Sequence, residues 1–297
     1  MTTDQAPAVP DRAATGPARR APTRWVRSLL KHVVMAGLAL VMIYPLIWLV
    51  ISSLKPNDLI FRDLSIFTSN LSLEHYIQGW DAQVLPFHYF LINSSILVVG
   101  AILGNLLSCA LAAYAFAKLD FRLRNLWFGV MLGTILLPFH VVLVPQFILF
   151  RSLGWLDTFL PLIVPKFLAV EAFFIFLMVQ FIRSLPNELF EAARIDGAGQ
   201  LRVFGQITLP LMIPALATTA IFTFIWTWGD FFGPLIYLRS RDNFTVSLAL
   251  MGFVDAQSSS NYGAMFAMSV VSLIPLFIAF LLGQKFLLRG FAKTGLK

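Results

Sequence analysis

The stretch EAARIDGAGQLRVFGQITLP, residues 191–210, carries two acids, two arginines and three glycines, and it lies between long apolar runs. Glu188, Glu191 and Arg194 fall together on one side of a short helix-forming segment, with Leu189, Ala192, Ala193 and Ile195 on the other. Such a knob suits insertion into a groove of a soluble partner. A second group of polar residues is scattered inside the apolar runs themselves: Asn93, Lys166, Glu171 and Asp230. Ionisable residues in lipid are costly and usually face a cavity or a partner. Trp226, Trp228, Phe231 and Phe232 cluster around Asp230. Flat aromatic faces beside a carboxylate suit a sugar, whose C–H faces are apolar and whose hydroxyls need partners. The same aromatics also fit a membrane-interface belt or packing between helices.

The composition indicates what must position these groups. The chain has 297 residues, 58% hydrophobic and 12% charged, with 29 Phe, against about 25% charged in soluble domains. A helix needs about 20 apolar residues to cross a bilayer. Six segments meet that need, at roughly 33–54, 89–117, 126–150, 159–182, 211–238 and 264–288. Their continuity excludes a barrel of short alternating strands. Residues 1–23, rich in Ala, Pro, Thr and Arg, should form a disordered tail. The first span is too long for a cleaved signal peptide and lacks a cleavage site. The single cysteine, Cys109, rules out a disulfide framework. Lys and Arg concentrate in the tail, the 2–3 and 4–5 loops and the C-terminus, which places both termini and residues 183–210 in the cytoplasm. The net charge of +7 reflects this bias rather than nucleic-acid binding.

Within 183–210, Pro186 stops the fourth span and ELFEAARI starts a new helix. Gly197 and Gly199 break it and permit a positive-φ turn. Leu201, Phe204 and Ile207, three apart, mark a second amphipathic piece before Pro210 and Pro214 open the fifth span. The expectation is a helix–turn–helix arm held off the membrane. Lys166 and Glu171 are five apart and do not stack ideally as an i,i+4 pair, although Pro165 can distort the local geometry between them.

Glu191-Ala192-Ala193, three residues, Gly197, nine residues, then Ile207, Leu209 and Pro210 resembles the EAA signature of permease subunits of binding-protein-dependent ABC importers. The stretches LAAYAFAKLDF, LLPFHVVLVPQFILFRSLGWLDT and FTFIWTWGDFFGPLIYL are similar to the carbohydrate-uptake branch, in the manner of the second permease of the maltose system. Gly229 departs from that branch, which commonly has Asn there.

The resemblance implies the type I permease fold, an all-α membrane protein of six spans. It implies ATPase coupling through Glu191, Ala192, Ala193, Arg194, Asp196 and Gly197, with Ile207, Leu209 and Pro210 ending the loop. It further implies a second permease, two ATPases and an extracellular binding protein as partners in a bacterial cell membrane. Asn93, Glu171, Trp226, Trp228 and Asp230 are the candidates for the substrate path, a sugar, oligosaccharide or glycerol-phosphate. ATP and Mg²⁺ would bind the ATPases, since this chain has no GxxxxGK[ST] motif, and no cofactor is expected here. An ATP-independent transporter would need coupling acids deep in its spans and usually an internal repeat. An intramembrane enzyme would need a nucleophile or metal set, which His32, His75, His88, His140 and Cys109 do not form.

Overall fold

Apolar runs this long satisfy their backbone only as helices, and the computed structural model is helical throughout, with no strand among the described residues. It describes residues 23–63, 65, 71–254 and 261–292. The expected tail therefore lies outside the described residues as far as residue 22. The elements in order are α1 (Thr23–Ser52), α2 (Glu74–Trp80), α3 (Phe87–Lys118), α4 (Arg124–Thr134), α5 (Phe139–Ser152), α6 (Leu160–Ile163) and a 3-10 turn (Val164–Leu168). Then come α7 (Ala172–Arg183), α8 (Glu188–Ile195), α9 (Gln200–Val203), a π turn (Phe204–Thr208), α10 (Leu209–Leu211) and α11 (Ile213–Trp228). The chain ends with α12 (Phe232–Tyr237), α13 (Val246–Met251) and α14 (Tyr262–Ala292). Two units are distinguished, residues 1–48 and 49–297.

Four stretches are long and apolar enough to cross a membrane: Arg27–Ser52, Phe87–Lys118, Leu160–Arg183 and Tyr262–Lys285. Two bent pairs bring the number to six if each pair is one span. Three of the six expected segments are not continuous straight helices. The third, 126–150, is broken into α4 and α5, which meet at 97°. Pro138, extended at ψ 135, removes an N–H and disfavours helix at Leu137. The fifth is shorter than 211–238: α11 bends by 73° from the segment before it and stops at Gly229. Asp230 Oδ1 then accepts the Gly233 N–H at 3.1 Å, and the chain restarts as α12. The fourth loses its α-geometry between Val164 and Val170, where Ala169 takes a left-handed φ of 54°.

Non-helical backbone inside an apolar environment needs both room and partners, and one face of α3 supplies them. Gly100, Gly104 and Ser108 recur every four residues and share that face. A Cβ at Gly104 would stand 2.9 Å from the Lys166 backbone carbon, and one at Gly100 would stand 2.9 Å from Ile163 Cδ1. Ser108 Oγ donates to the Lys166 carbonyl at 2.7 Å. Below the same contact, Asn105 donates to Thr223 Oγ1 at 3.0 Å and ties α3 to α11.

Two apolar clusters occupy opposite ends of α3. One gathers Phe87, Phe90 and Val98 with Trp228, Val246, Ala264 and Met268. The other gathers Cys109, Ala113 and Tyr114 with Phe174, Met178, Ile182 and, from the arm, Phe190, Ala193, Val203 and Phe204. At the loop joining α5 to α6, Asp157 clasps the segment after α12. Its carboxylate accepts the Arg239 and Ser240 N–H groups at 2.9 and 2.8 Å, and also the Ser240 hydroxyl. These hydrogen bonds, the Ser240 hydroxyl first, hold its pKa well below the usual carboxylate range.

Replacing Gly104 by Val should cost about 1–3 kcal/mol or more through overpacking. Ser108→Ala, which strands the Lys166 carbonyl, should cost about 1–3 kcal/mol. Thermal unfolding of the purified transporter in detergent should show both losses, with Gly129→Ala, which meets nothing within 4 Å, as the unaffected control.

Candidate functional site

The arm at 183–210 is built from its caps outward. Helix α7 ends at Arg183 and α8 begins after Asn187, whose Oδ1 accepts the Lys118 ammonium at 2.9 Å. At the other end of α8, Gly197 donates to the Arg194 carbonyl (3.0 Å) and Ala198 to the Ala193 carbonyl (2.9 Å). This paired closure requires a left-handed residue between them, and Gly197, at φ 73°, provides it without a Cβ penalty. Gly199 is extended and opens α9.

The side of α8 that packs inward takes only part of its apolar face. Phe190 and Ala193, one helical turn apart, are the buried residues, 4% and 7% exposed, whereas Leu189, Ala192 and Ile195 are exposed. In the second piece Val203, Phe204 and Thr208 are buried, Ile207 is half-buried, and Leu201 is exposed. The reason lies on α3. Lys118 sits 3.7 Å from the centre of the Phe190 ring, the Tyr114 ring lies 5.2 Å from that of Phe204, and Tyr114 Oη donates to Gln200 Oε1 at 2.8 Å. The arm is thus bolted to the end of α3.

What remains outward is a compact polar and apolar surface around the Gly197 turn. Glu191, Ala192, Arg194 and Asp196 are all exposed. Ile195 and Leu201, 87% and 82% exposed, flank them. Ala193, in contrast, serves the internal packing. Leu209 is half-buried and Pro210 exposed where the chain turns toward α11.

The second constellation is a cavity of about 550 Å³. Three of the helix breaks supply its wall: Thr134 to Phe139, Pro165 to Ala172, and Thr227 to Pro234. Glu171, Trp226 and Asp230 line it, together with Lys166, Gln146 and Tyr237. Asn93 and Trp228 lie outside that lining. Asn93 donates to the Asp242 and Phe244 carbonyls at 2.7 and 2.9 Å, pinning the segment before α13. Trp228 is buried, donates to the Ser272 carbonyl at 3.0 Å and stacks on Phe224. Trp226 is half exposed, with its ring stacked on Phe174 at 5.1 Å. Lys166 and Glu171, five apart, form an ion pair, because the 3-10 turn that begins at Val164-Pro165 and the left-handed Ala169 fold the chain back between them. Among the described residues no cluster of His, Cys, Asp or Glu is arranged to hold a metal ion.

Residues 104–293 match the family described as binding-protein-dependent transport system inner membrane component. The arabinooligosaccharides transport system permease protein of Halalkalibacterium halodurans is 32% identical over 92% of this chain and 97% of that protein. The diacetylchitobiose uptake system permease protein of Streptomyces coelicolor is 32% identical over 86% of this chain and 84% of that one. The sn-glycerol-3-phosphate transport system permease protein of Yersinia pestis is 29% identical over 87% and 94%. A chain of a bacterial ABC transporter involved in the import of the acidic polysaccharide alginate superposes with a TM-score of 0.79, covering 91% of this chain and 99% of that one at 23% identity, which speaks for the fold alone.

Phe190→Ala removes the arm's main internal anchor and should cost about 3–5 kcal/mol locally. Hydrogen exchange of the amides of 188–203 should accelerate, while those of α7 and the middle of α3 keep their protection.

Proposed function

The chain belongs to the inner membrane components of binding-protein-dependent transport systems, and on that premise we propose that the exposed surface around Gly197 is where a partner ATPase drives it. The protein is a multi-pass membrane permease of an ATP-driven carbohydrate importer, a transport component rather than an enzyme. It works in a complex with an ATPase and a binding protein. The finer assembly we propose is a heterodimer with a second permease over two ATPases, loaded by an extracellular binding protein, in a bacterial cell membrane with both termini cytoplasmic. ATP and Mg²⁺ bind the ATPases, not this chain.

The observation carrying the coupling role is the division of faces on the arm. Phe190, Ala193, Val203 and Phe204 face the bundle, while Glu191, Arg194, Ile195 and Leu201 face away with no packing to explain two nearly bare aliphatic side chains. Because the inner face is locked to α3 and α7, a push on the outer face becomes motion of the bundle and not a flexing of the loop. For that push to change access, ATP and the loaded binding protein must each favour one state of the complex over the other. The cavity where the three breaks meet is then this subunit's share of the sugar path. Glu171 and Asp230 offer acceptors for hydroxyls, and Trp226 offers a flat face.

Proteoliposomes holding the complete transporter test the coupling role. Ile195→Glu and Leu201→Glu alter side chains that pack against nothing, so assembly of the permease pair and its melting temperature should stay near wild type. Uptake and substrate-stimulated ATP hydrolysis should both fall by about tenfold or more, the scale of a hot spot lost from an interface. Glu191→Lys should act the same way. Wild-type uptake in all three variants would refute the coupling role.

A further inference from the structure

The relatives of this chain carry cargoes of opposite character, neutral oligosaccharides in two cases and an anionic phosphate ester in another. Family membership therefore leaves the charge of the cargo open. The cavity does not. One cation, Lys166, lines it, and its ammonium is held by Glu171 Oε1. A third charged group, Asp230, lines the same space. Its Oδ1 accepts the Gly233 N–H at 3.1 Å, and among the described residues no lysine or arginine forms an ion pair with it.

We propose that this cavity admits neutral saccharides and rejects acidic ones, with Asp230 as the residue that sets the choice. The proposal rests on the reading of the cavity as a carbohydrate path. An acidic sugar or a phosphate ester seated against Trp226 meets the Asp230 carboxylate, in a lining whose two carboxylates outnumber its one cation, Lys166, itself paired with Glu171. Bulk salt screens such a part-enclosed pair poorly. Sites built for carboxylate or phosphate present Arg forks or free Lys, and the lining here has neither. A neutral sugar finds the opposite situation. Its hydroxyls donate to Asp230 and Glu171, the neutral side chains of Thr134, Gln146 and Thr227 lie on the same lining, and Trp226 meets its C–H face.

Asp230 also has a structural task, since its Oδ1 closes the turn into α12. Asn keeps that acceptor and removes only the charge, so Asp230→Asn separates selection from folding. Asp230→Lys reverses the charge and serves as the stronger second variant.

The complete transporter in nanodiscs, free of binding protein, is titrated with arabinotriose as the neutral probe and trigalacturonate as the acidic probe, followed by saturation-transfer NMR. Wild type should bind arabinotriose about tenfold or more tighter than trigalacturonate, the least that like-charge juxtaposition in a site implies. Asp230→Asn should shrink that ratio toward one, and Asp230→Lys should invert it. Trp226→Ala should weaken both probes together. Equal or tighter binding of trigalacturonate to wild type overturns the selection proposal while leaving the carbohydrate path intact. So does a ratio unmoved by Asp230→Asn in a protein that melts normally. If neither probe binds wild type, or Trp226→Ala changes nothing, the carbohydrate reading of the cavity falls and the selection proposal falls with it.

Discussion

The contact on which the rest depends is the close approach between one face of α3 and the stretch of the fourth span that is not α-helical. Gly104 lets the Lys166 backbone come close and Gly100 makes room for the Ile163 side chain, while the Ser108 hydroxyl takes the Lys166 carbonyl that a continued helix would have satisfied. Without that support, a break inside an apolar helix would leave polar backbone groups unpaired, at a cost of several kcal/mol each in hydrocarbon. With it, the chain can fold back at Ala169, bring Lys166 to Glu171 and leave a polar-lined space where the breaks at 134–139 and 229–233 also arrive. The three breaks thus share one space, and α3 directly supports the one at 164–170.

The same helix reaches the arm. Its residues Tyr114 and Lys118 hold Phe204 and Phe190, and its other end is sunk in the second apolar cluster with Trp228 and α14. Helix α3 thus touches the arm at one end and the segment that walls the cavity near its middle. A long helix buried on several sides is stiff, since moving one part requires its close-packed neighbours to move with it. Coupling between the two sites needs no chain of small side-chain shifts when both are attached to one rod.

Much of this was legible in the sequence. The apolar runs gave the helical membrane class, and the spacing Glu191-Ala192-Ala193 to Gly197 to Pro210 gave the arm and its turn, because a Gly with positive φ leaves a local signature. The face of α8 was not legible. Leu189 and Ile195 look as apolar as Phe190, and only the position of Lys118 and Tyr114, some seventy or more residues away in the chain, decides which is buried. The broken spans were hidden for a related reason. Pro138 was visible, but a proline in a membrane helix can as well kink as break it, and the room made by Gly100 and Gly104 is a tertiary fact. A G-x-x-x-G pattern at 100–104 inside an apolar run was the available sign of close packing. Trp226 and Trp228 teach the same lesson at short range: two residues apart on one helix, one faces the cavity and the other closes a core.

If the push on the arm is carried by α3, the arm and α3 move as one body relative to the far wall of the cavity. Paired spin labels in the complete transporter measure this directly, with one label at Gln206, an arm residue outside the proposed ATPase contact, and its partner either at Leu111 on α3 or at Val144 on α5, all exposed positions. The 206–111 distance should be the same in the nucleotide-free and ATP-bound states, whereas the 206–144 distance should shift between them. A 206–111 distance that changes with ATP while 206–144 stays fixed would contradict this, because the arm would then be flexing on its own.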